Sequence, residues 1–208
     1  MQQRPGGQGL VALTIATLAA LAVLIGLGSW QWQRKAWKEE LIATIESRAS
    51  ADPLPPERWP SLICRPMHEV GLAQSCDFTS VRLVGRFDHS GERHVFTNAP
   101  QGVSPGGPGY WVLTPFDLAG GGTRLYVNRG FVPEARKDPQ TRREGQIAGE
   151  VEIFGQIRSA EQRGLFTGHN NHEANVWFLR NPRELLGERE PGPSELVRWQ
   201  GPGPSGLD

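Results

Sequence analysis

The residues spaced for chemistry are few in this 208-residue chain, and its two cysteines come first. Cys64 and Cys76 enclose a short loop rich in turn residues. A bridge between them would persist only in an oxidising compartment and would contribute about 3 kcal/mol. Unpaired, with Met67 and His68 nearby, they offer the soft thiolate and thioether ligands that suit copper(I). Their spacing matches no copper motif, and a bridge would remove the ligands. His169 and His172, in GHNNHE, could share a metal across one helical turn, but no cysteine or carboxylate pair is placed to complete the set. No metal site is assigned. The glycine-rich SPGGPGY (104–110) lacks the Gly-Lys-Ser/Thr opening of a phosphate loop and runs into a strand pattern. His89 and His94 flank a predicted turn with Asp88 and Ser90. A hydrolase triad needs residues from separate elements, so these four are read as surface turn residues. No nucleophile elbow, zinc-protease pair or kinase set occurs, and no catalytic residue is assigned.

The segment YVNRGFVP (126–133) is more informative. A strand ends there in asparagine, arginine and glycine, and an aromatic residue and a proline then re-aim the chain. This places the planar cation of Arg129 at the rim of a sheet. Two roles are open to it: pairing with a carboxylate or stacking on a ring inside the domain, or holding a carboxylate of a ligand or partner.

Two kinds of element must position these residues. From Leu10 to Gly28, LVALTIATLAALAVLIGLG is a run of nineteen residues without a charge. As a helix it would cover nearly 30 Å, the hydrocarbon thickness of a bilayer. Trp30 and Trp32 follow where indoles sit among headgroups, with Arg34, Lys35 and Lys38 just beyond. A cleaved signal peptide is the alternative, with Ala20-Leu21-Ala22 as its site, but the apolar run continues past that site and exceeds the usual core of about 7 to 15 residues. Trp37, Leu41 and Ile45 recur at helical spacing, so the helix is predicted to continue as a stalk to about Arg48 and to stop at ADPLPP.

From Ser80 the pattern alternates. Strands are predicted at 81–88, 93–98, 109–116, 123–131, 150–158, 175–179 and, less clearly, 195–199, with DLAGGG (117–122) as a hairpin loop. Gly85 and Gly155 occupy matching places in VRLVGRFD and VEIFGQIR, which suggests bends or bulges as in a curved sheet. Glycine (26) and proline (17) make up about a fifth of the chain, which fits many turns. Basic and acidic residues total 22 each, so no net field favours nucleic acid. The fold class is α+β: a transmembrane helix with a stalk, then a mainly antiparallel β domain, either a small barrel or a strongly curved sheet. The expected divisions are a tail (1–9), the membrane helix (10–28), the stalk (29–50), a cysteine-containing linker (51–79), the β domain (80–182) and a Gly/Pro-rich tail (183–208).

LGSWQWQRKAWKEELI, GPGYWVLTPF, LYVNRGFVP, GEVEIFGQIR and NVWFLRNP occur in the order seen in the SURF-one (Surfeit locus) family, which the chain resembles over roughly residues 20–182. The resemblance implies a membrane protein that assists assembly of cytochrome c oxidase, with haem a as a transient cofactor and the oxidase large subunit or its assembly intermediates as partner. It implies a bacterial cytoplasmic membrane with the main domain periplasmic, or the mitochondrial inner membrane. Flanking charges alone lean toward a cytoplasmic domain. Gly28, Trp30, Gln31, Arg34, Gly109, Tyr110, Pro115, Asn128, Arg129, Gly130 and Pro133 fall on the family's characteristic positions. Of these, Trp30, Gln31, Arg34, Tyr110, Asn128 and Arg129 are the implied haem or partner contacts.

One departure stands out: the family's second membrane helix is expected near the end, yet GEREPGPSELVRWQGPGPSGLD holds no apolar run long enough to span. A truncated, non-functional family member is one alternative that follows. A membrane-tethered copper or thiol-disulfide factor using Cys64 and Cys76 is the other.

Overall fold

The computed structural model describes residues 7–55, 57–58, 67, 70–71, 75–103, 106–186 and 195–199. It contains two compact units, Met1–Glu46 and Ser47–Asp208.

A single helix, α1 (Gly7–Ser50), runs through the first unit. Its early apolar side chains are uncovered: Leu13 is 70% exposed and Leu24 64%. Leaving such a run in water would forfeit the hydrophobic stabilisation that lipid supplies. The two threonines in it return their hydroxyls to the helix backbone, Thr14 Oγ1 to Leu10 O at 2.9 Å and Thr17 Oγ1 to Leu13 O at 2.8 Å, so neither presents an unmet donor to hydrocarbon. Among the described residues α1 is the one helix long and apolar enough to cross a membrane. The charged half is good helix-forming sequence, and Lys35 and Glu39 pair one turn apart at 3.6 Å. Helix formation persists to Ser50, just before the proline-containing segment that was expected to stop it.

Among the described residues the second unit has six strands: β1 (Ser80–Phe87), β2 (Arg93–Asn98), β3 (Pro108–Leu118), β4 (Arg124–Pro133), β5 (Glu150–Ser159) and β6 (Glu195–Trp199). They form one sheet in the order β1-β5-β6-β4-β3-β2. All pairings are antiparallel except β4 with β6. The sheet curls far enough for the start of the order to meet β3, where Gly85, Arg86 and Phe87 pair with Leu118, Asp117 and Phe116. This is the strongly curved sheet of the two expected forms. One edge of β3 is thereby shared, its first half with β2 and its last with β1.

Gly85 makes the curl possible. A Cβ there would run into the carbonyl oxygen of Asp117 and stand 2.8 Å from Cε1 of Phe116. Gly155, by contrast, keeps regular register with Val81 and Trp199, so the matching glycine marks no bulge. The irregularity lies elsewhere. Between the pairs Trp111–Phe131 and Leu113–Asn128, the single residue Val112 faces both Arg129 and Gly130, and Gly130 takes φ of 119°.

The inner face of the curve holds the main core, with Val81, Leu83, Phe116, Leu125, Val127, Ile153, Ile157 and Val197 essentially solvent-free. Val197 belongs to the less clearly predicted strand at 195–199, which forms within the Gly/Pro-rich segment and fills the place between β4 and β5, so the sheet extends beyond residue 182. A second cluster, Val95, Leu113, Tyr126, Trp177 and Leu185, includes a residue of the short helix α2 (Pro182–Leu186). The predicted strand at 175–179 is absent. Asn175 has φ of 48°, which breaks the extension, and only single bridges form: Val176 with Asn171, and Trp177 with Val95. Leu118 N–H donates to Thr123 O at 3.0 Å across the loop that carries three positive-φ glycines, 120 to 122, so the hairpin forms as predicted. At the entrance to this unit Arg48 Nη1 donates to Ser75 O at 2.9 Å, and Ser80 Oγ donates to Arg48 O at 3.1 Å.

Candidate functional site

The bulge on β4 decides where the Asn-Arg-Gly segment points. Leu125 and Val127 face the inner core and Tyr126 the outer cluster, so alternation sends Asn128 and Arg129 to opposite faces. Both are buried. Asn128 Oδ1 accepts from Gly130 N at 3.1 Å, which pins the bulge, and its side chain lines a cavity of about 300 Å³ with Trp111, Arg158, Ser159, Glu161 and Arg180. Arg180 is held there by a two-pronged contact with Glu161, while its guanidinium lies 5.9 Å from the Trp111 ring centre. Burial pushes the Glu161 carboxyl up, but hydrogen bonds from Arg180 outweigh it and leave the carboxyl below its usual value.

Arg129 takes the other direction. Its guanidinium stacks 4.9 Å from the Phe87 ring centre, and Nη2 donates to Gly145 O. Of the two arrangements open to it, the internal one is present. Burial lowers its pKa to about 10, with the charge of Arg142 pushing the same way and that of Glu92 opposing.

Those two residues form a buried polar cluster. Glu92 follows the 3-10 turn His89–Gly91; Arg142, with no exposed surface, comes from the 3-10 segment Pro139–Gly145. Arg142 Nη1 donates to Glu92 Oε2 at 3.1 Å and Nη2 to Oε1, while Nε donates to Arg136 O at 3.1 Å. His94 Nε2 is 2.8 Å from Glu92 Oε1, and its Nδ1 lies 3.2 Å from the amide nitrogen of Asn175. That amide also donates to Glu92 O at 2.8 Å, and Asn175 Oδ1 accepts from Trp177 Nε1 at 2.9 Å. The indole fixes the orientation of the amide. The amide then makes Nδ1 of His94 the acceptor, so its proton sits on Nε2 and points at Glu92. Burial raises the Glu92 carboxyl, but hydrogen bonds from His94 and Arg142 and the charge of Arg142 prevail and bring it to about 2. The cluster ties together β2, the 139–145 segment and the loop before α2.

The reading of positions 88–94 as surface turn residues needs correction. Asp88 does cap the turn, accepting from Ser90 N at 3.1 Å, but His94 is 4% exposed and inside the cluster, and His89 Nε2 reaches Ile147 O at 2.8 Å. Glu92, Arg142 and Asn175 were not foreseen. Arg142 stands in DPQTRREGQ, a run that reads as solvated surface, and no spacing links it to Glu92 fifty positions earlier.

Tyr110 is buried, with ring contacts of 5.9 Å to both His94 and Phe96. Gly109 lies under Phe131, whose Cε2 would stand 2.6 Å from an added Cβ. Pro115 packs on the 89–91 turn and accepts from Asp88 N at 2.9 Å; Pro133 ends β4 ahead of the next 3-10 turn. Trp30, Gln31 and Arg34 belong to the first unit, with Gly28 beside them, all exposed on α1; Arg34 lies 4.4 Å from the Trp37 ring centre. The structure therefore brings Asn128, Arg129 and Tyr110 into one unit and leaves the helix residues in another.

Cys76 is buried against the inner core and disulfide-bonded; the sequence has one other cysteine, Cys64, which lies outside the described residues, as does His68. His172 packs on Trp177 with ring centres 4.6 Å apart, and among the described residues no three metal-ligating side chains come together.

The model of the SURF1 family matches residues 18–204. The chain is 36% identical over 170 residues to Surfeit locus protein 1 of Rattus norvegicus, covering 77% of this chain and 52% of that protein. It is 38% identical over 167 residues to Surfeit locus protein 1 of Homo sapiens, covering 75% and 52%. A SURF1-like protein of Monosiga brevicollis is 37% identical over 169 residues, covering 78% and 61%. The chain spans about half the length of the first of these relatives. With a match that runs through both the apolar helix and the curved sheet, the chain belongs to the SURF1 family.

Proposed function

We propose that this chain is a membrane-anchored assembly factor for cytochrome c oxidase, which assists haem a insertion or stabilises the large subunit during its biogenesis and makes or breaks no bonds itself. The observation that carries the reading is the extent of the family match, 18–204, which joins a membrane-length helix to the family's sheet domain in one chain. The disulfide at Cys76 supports a periplasmic domain, or one in the mitochondrial intermembrane space, because such a bond persists where thiols are oxidised.

Haem a enters this reading as cargo. In support, the buried His94 has both ring nitrogens engaged within the fold, so it is not offered as a resident iron ligand. Contact with the large subunit or its haem is assigned to exposed groups instead, with Trp30, Gln31 and Arg34 on α1 as candidates. The test is a deletion strain whose membranes are assayed for haem a absorbance and oxidase activity. Both should fall, and the full chain should restore them. Membranes with undiminished haem a and activity would refute the function. Normal rescue by a chain with Trp30 and Arg34 replaced would remove the helix contacts alone.

A further inference from the structure

Several arginines of the sheet domain are matched to carboxylates: Arg82 with Glu152, Arg124 with Asp117, Arg142 with Glu92, Arg158 with Asp77, Arg163 with Glu184 and Arg180 with Glu161. Arg93, at the start of β2, is not among them. Among the described residues no carboxylate lies within 4.0 Å of its guanidinium. Its contacts are the carbonyl of Glu92 at a long 3.4 Å and the Trp177 ring, 5.8 Å from its central carbon. Its Nε is buried without a hydrogen-bond partner. The two nearest acids in sequence are already committed, Glu92 to Arg142 and His94, and Asp88 to Arg124 at 3.2 Å and to the 89–91 turn.

Arg93 lines a second cavity of about 300 Å³ with Ser90, Glu92, His172 and Asn175, and with Trp177 and Leu185, which are themselves buried. A guanidinium presents Nε–H and an Nη–H as a planar fork that matches the two oxygens of a carboxylate. Here the fork has a buried, unmet donor and no carboxylate of its own, the Glu92 carboxylate in the same cavity being held by Arg142 and His94. We infer that this cavity is a binding site for a carboxylate, with Arg93 as the fork and the exposed His172 as a second donor. The site is separate from the Asn128 cavity and does not depend on the oxidase reading, since its test measures binding.

The full chain in micelles is titrated with 4-phenylbutyrate, its neutral amide, inorganic phosphate and the blocked peptide acetyl-Leu-Glu-Leu-amide, while the Trp177 indole N–H is followed by NMR. Saturable shifts are expected with phenylbutyrate or the peptide, and the tighter of the two tells whether the natural carboxylate is a small molecule's or a protein's. Arg93→Gln should weaken that binding by roughly tenfold or more, and Arg93→Lys, which keeps the charge without the fork, should recover only part of it. Equal shifts with the amide, tighter binding of phosphate, or no shift with either carboxylate would overturn the site. Thermal melting supplies the second control: Arg93→Gln should melt at or above the wild-type temperature, because it removes a charge that the fold leaves unmatched. A clear drop would make Arg93 a structural residue and overturn the inference.

Discussion

Glu92→Gln is the substitution whose cost the structure fixes best. Arg142 has no exposed surface, and Glu92 meets it with both carboxylate oxygens. The glutamine keeps the shape but leaves a buried guanidinium without its counter-charge, which costs about 3 to 5 kcal/mol. The carboxyl's own titration gives a second estimate. Its pKa is about 2 in the folded chain against an ordinary 4.5, a difference equivalent to about 3 kcal/mol. Because the folded value lies below the unfolded one, this stability is fully present above pH 4.5 and is lost as pH falls through about 2. Urea unfolding of the full chain in micelles, followed by tryptophan fluorescence, should show the midpoint falling by roughly 1 to 2 M at pH 7. The difference between wild type and variant should then shrink as the pH is lowered below 4.5. A loss under about 1 kcal/mol at pH 7, or a difference that does not change with pH, would refute the view that Glu92 neutralises Arg142 inside the fold.

Gly85→Ala should prevent β1 from meeting β3, because the new methyl collides with the Asp117 carbonyl; a loss of at least about 2 kcal/mol in the same unfolding assay is expected, and a neutral result would mean that the strands do not cross there. Cys76→Ser should cost about 2 to 4 kcal/mol and abolish the redox-dependent gel shift of the native chain, yet leave oxidase activity intact wherever the protein still accumulates. Loss of activity at normal protein levels would instead favour a thiol or copper role for the cysteines. Carbonate washing should leave the chain in the membrane pellet, and deleting residues 10–28 should release it; extraction of the intact chain would remove α1 as an anchor.

Local patterns were legible because they depend on one element at a time. The strand at 93–98 lies where alternation put it, and the loop at 117–122 has the positive-φ glycines its composition implied. The place of Glu195–Trp199 was not legible. Nothing in five residues reveals that they will lie parallel to β4 and antiparallel to β5, since the choice depends on an open place between two distant strands. The segment 175–179 failed in the opposite sense: its composition suits a strand, but Asn175 gives up extension so that its amide can reach Glu92 and His94. Arg129 could be placed at a sheet rim but not assigned to a face, because alternation needs a reference core to count from.

By itself, then, the sequence determined the membrane-length helix, most of the strands and the family, all of which rest on order and periodicity along the chain. The tertiary structure alone decided which charges would be matched. Arg142 and Glu92 are drawn together from fifty positions apart by the need to neutralise one another away from water, whereas Arg93, one residue after Glu92, is left facing a cavity. Whether a cation is paired depends on which carboxylates folding brings within reach, a property of the assembled surfaces that spacing in one dimension does not encode.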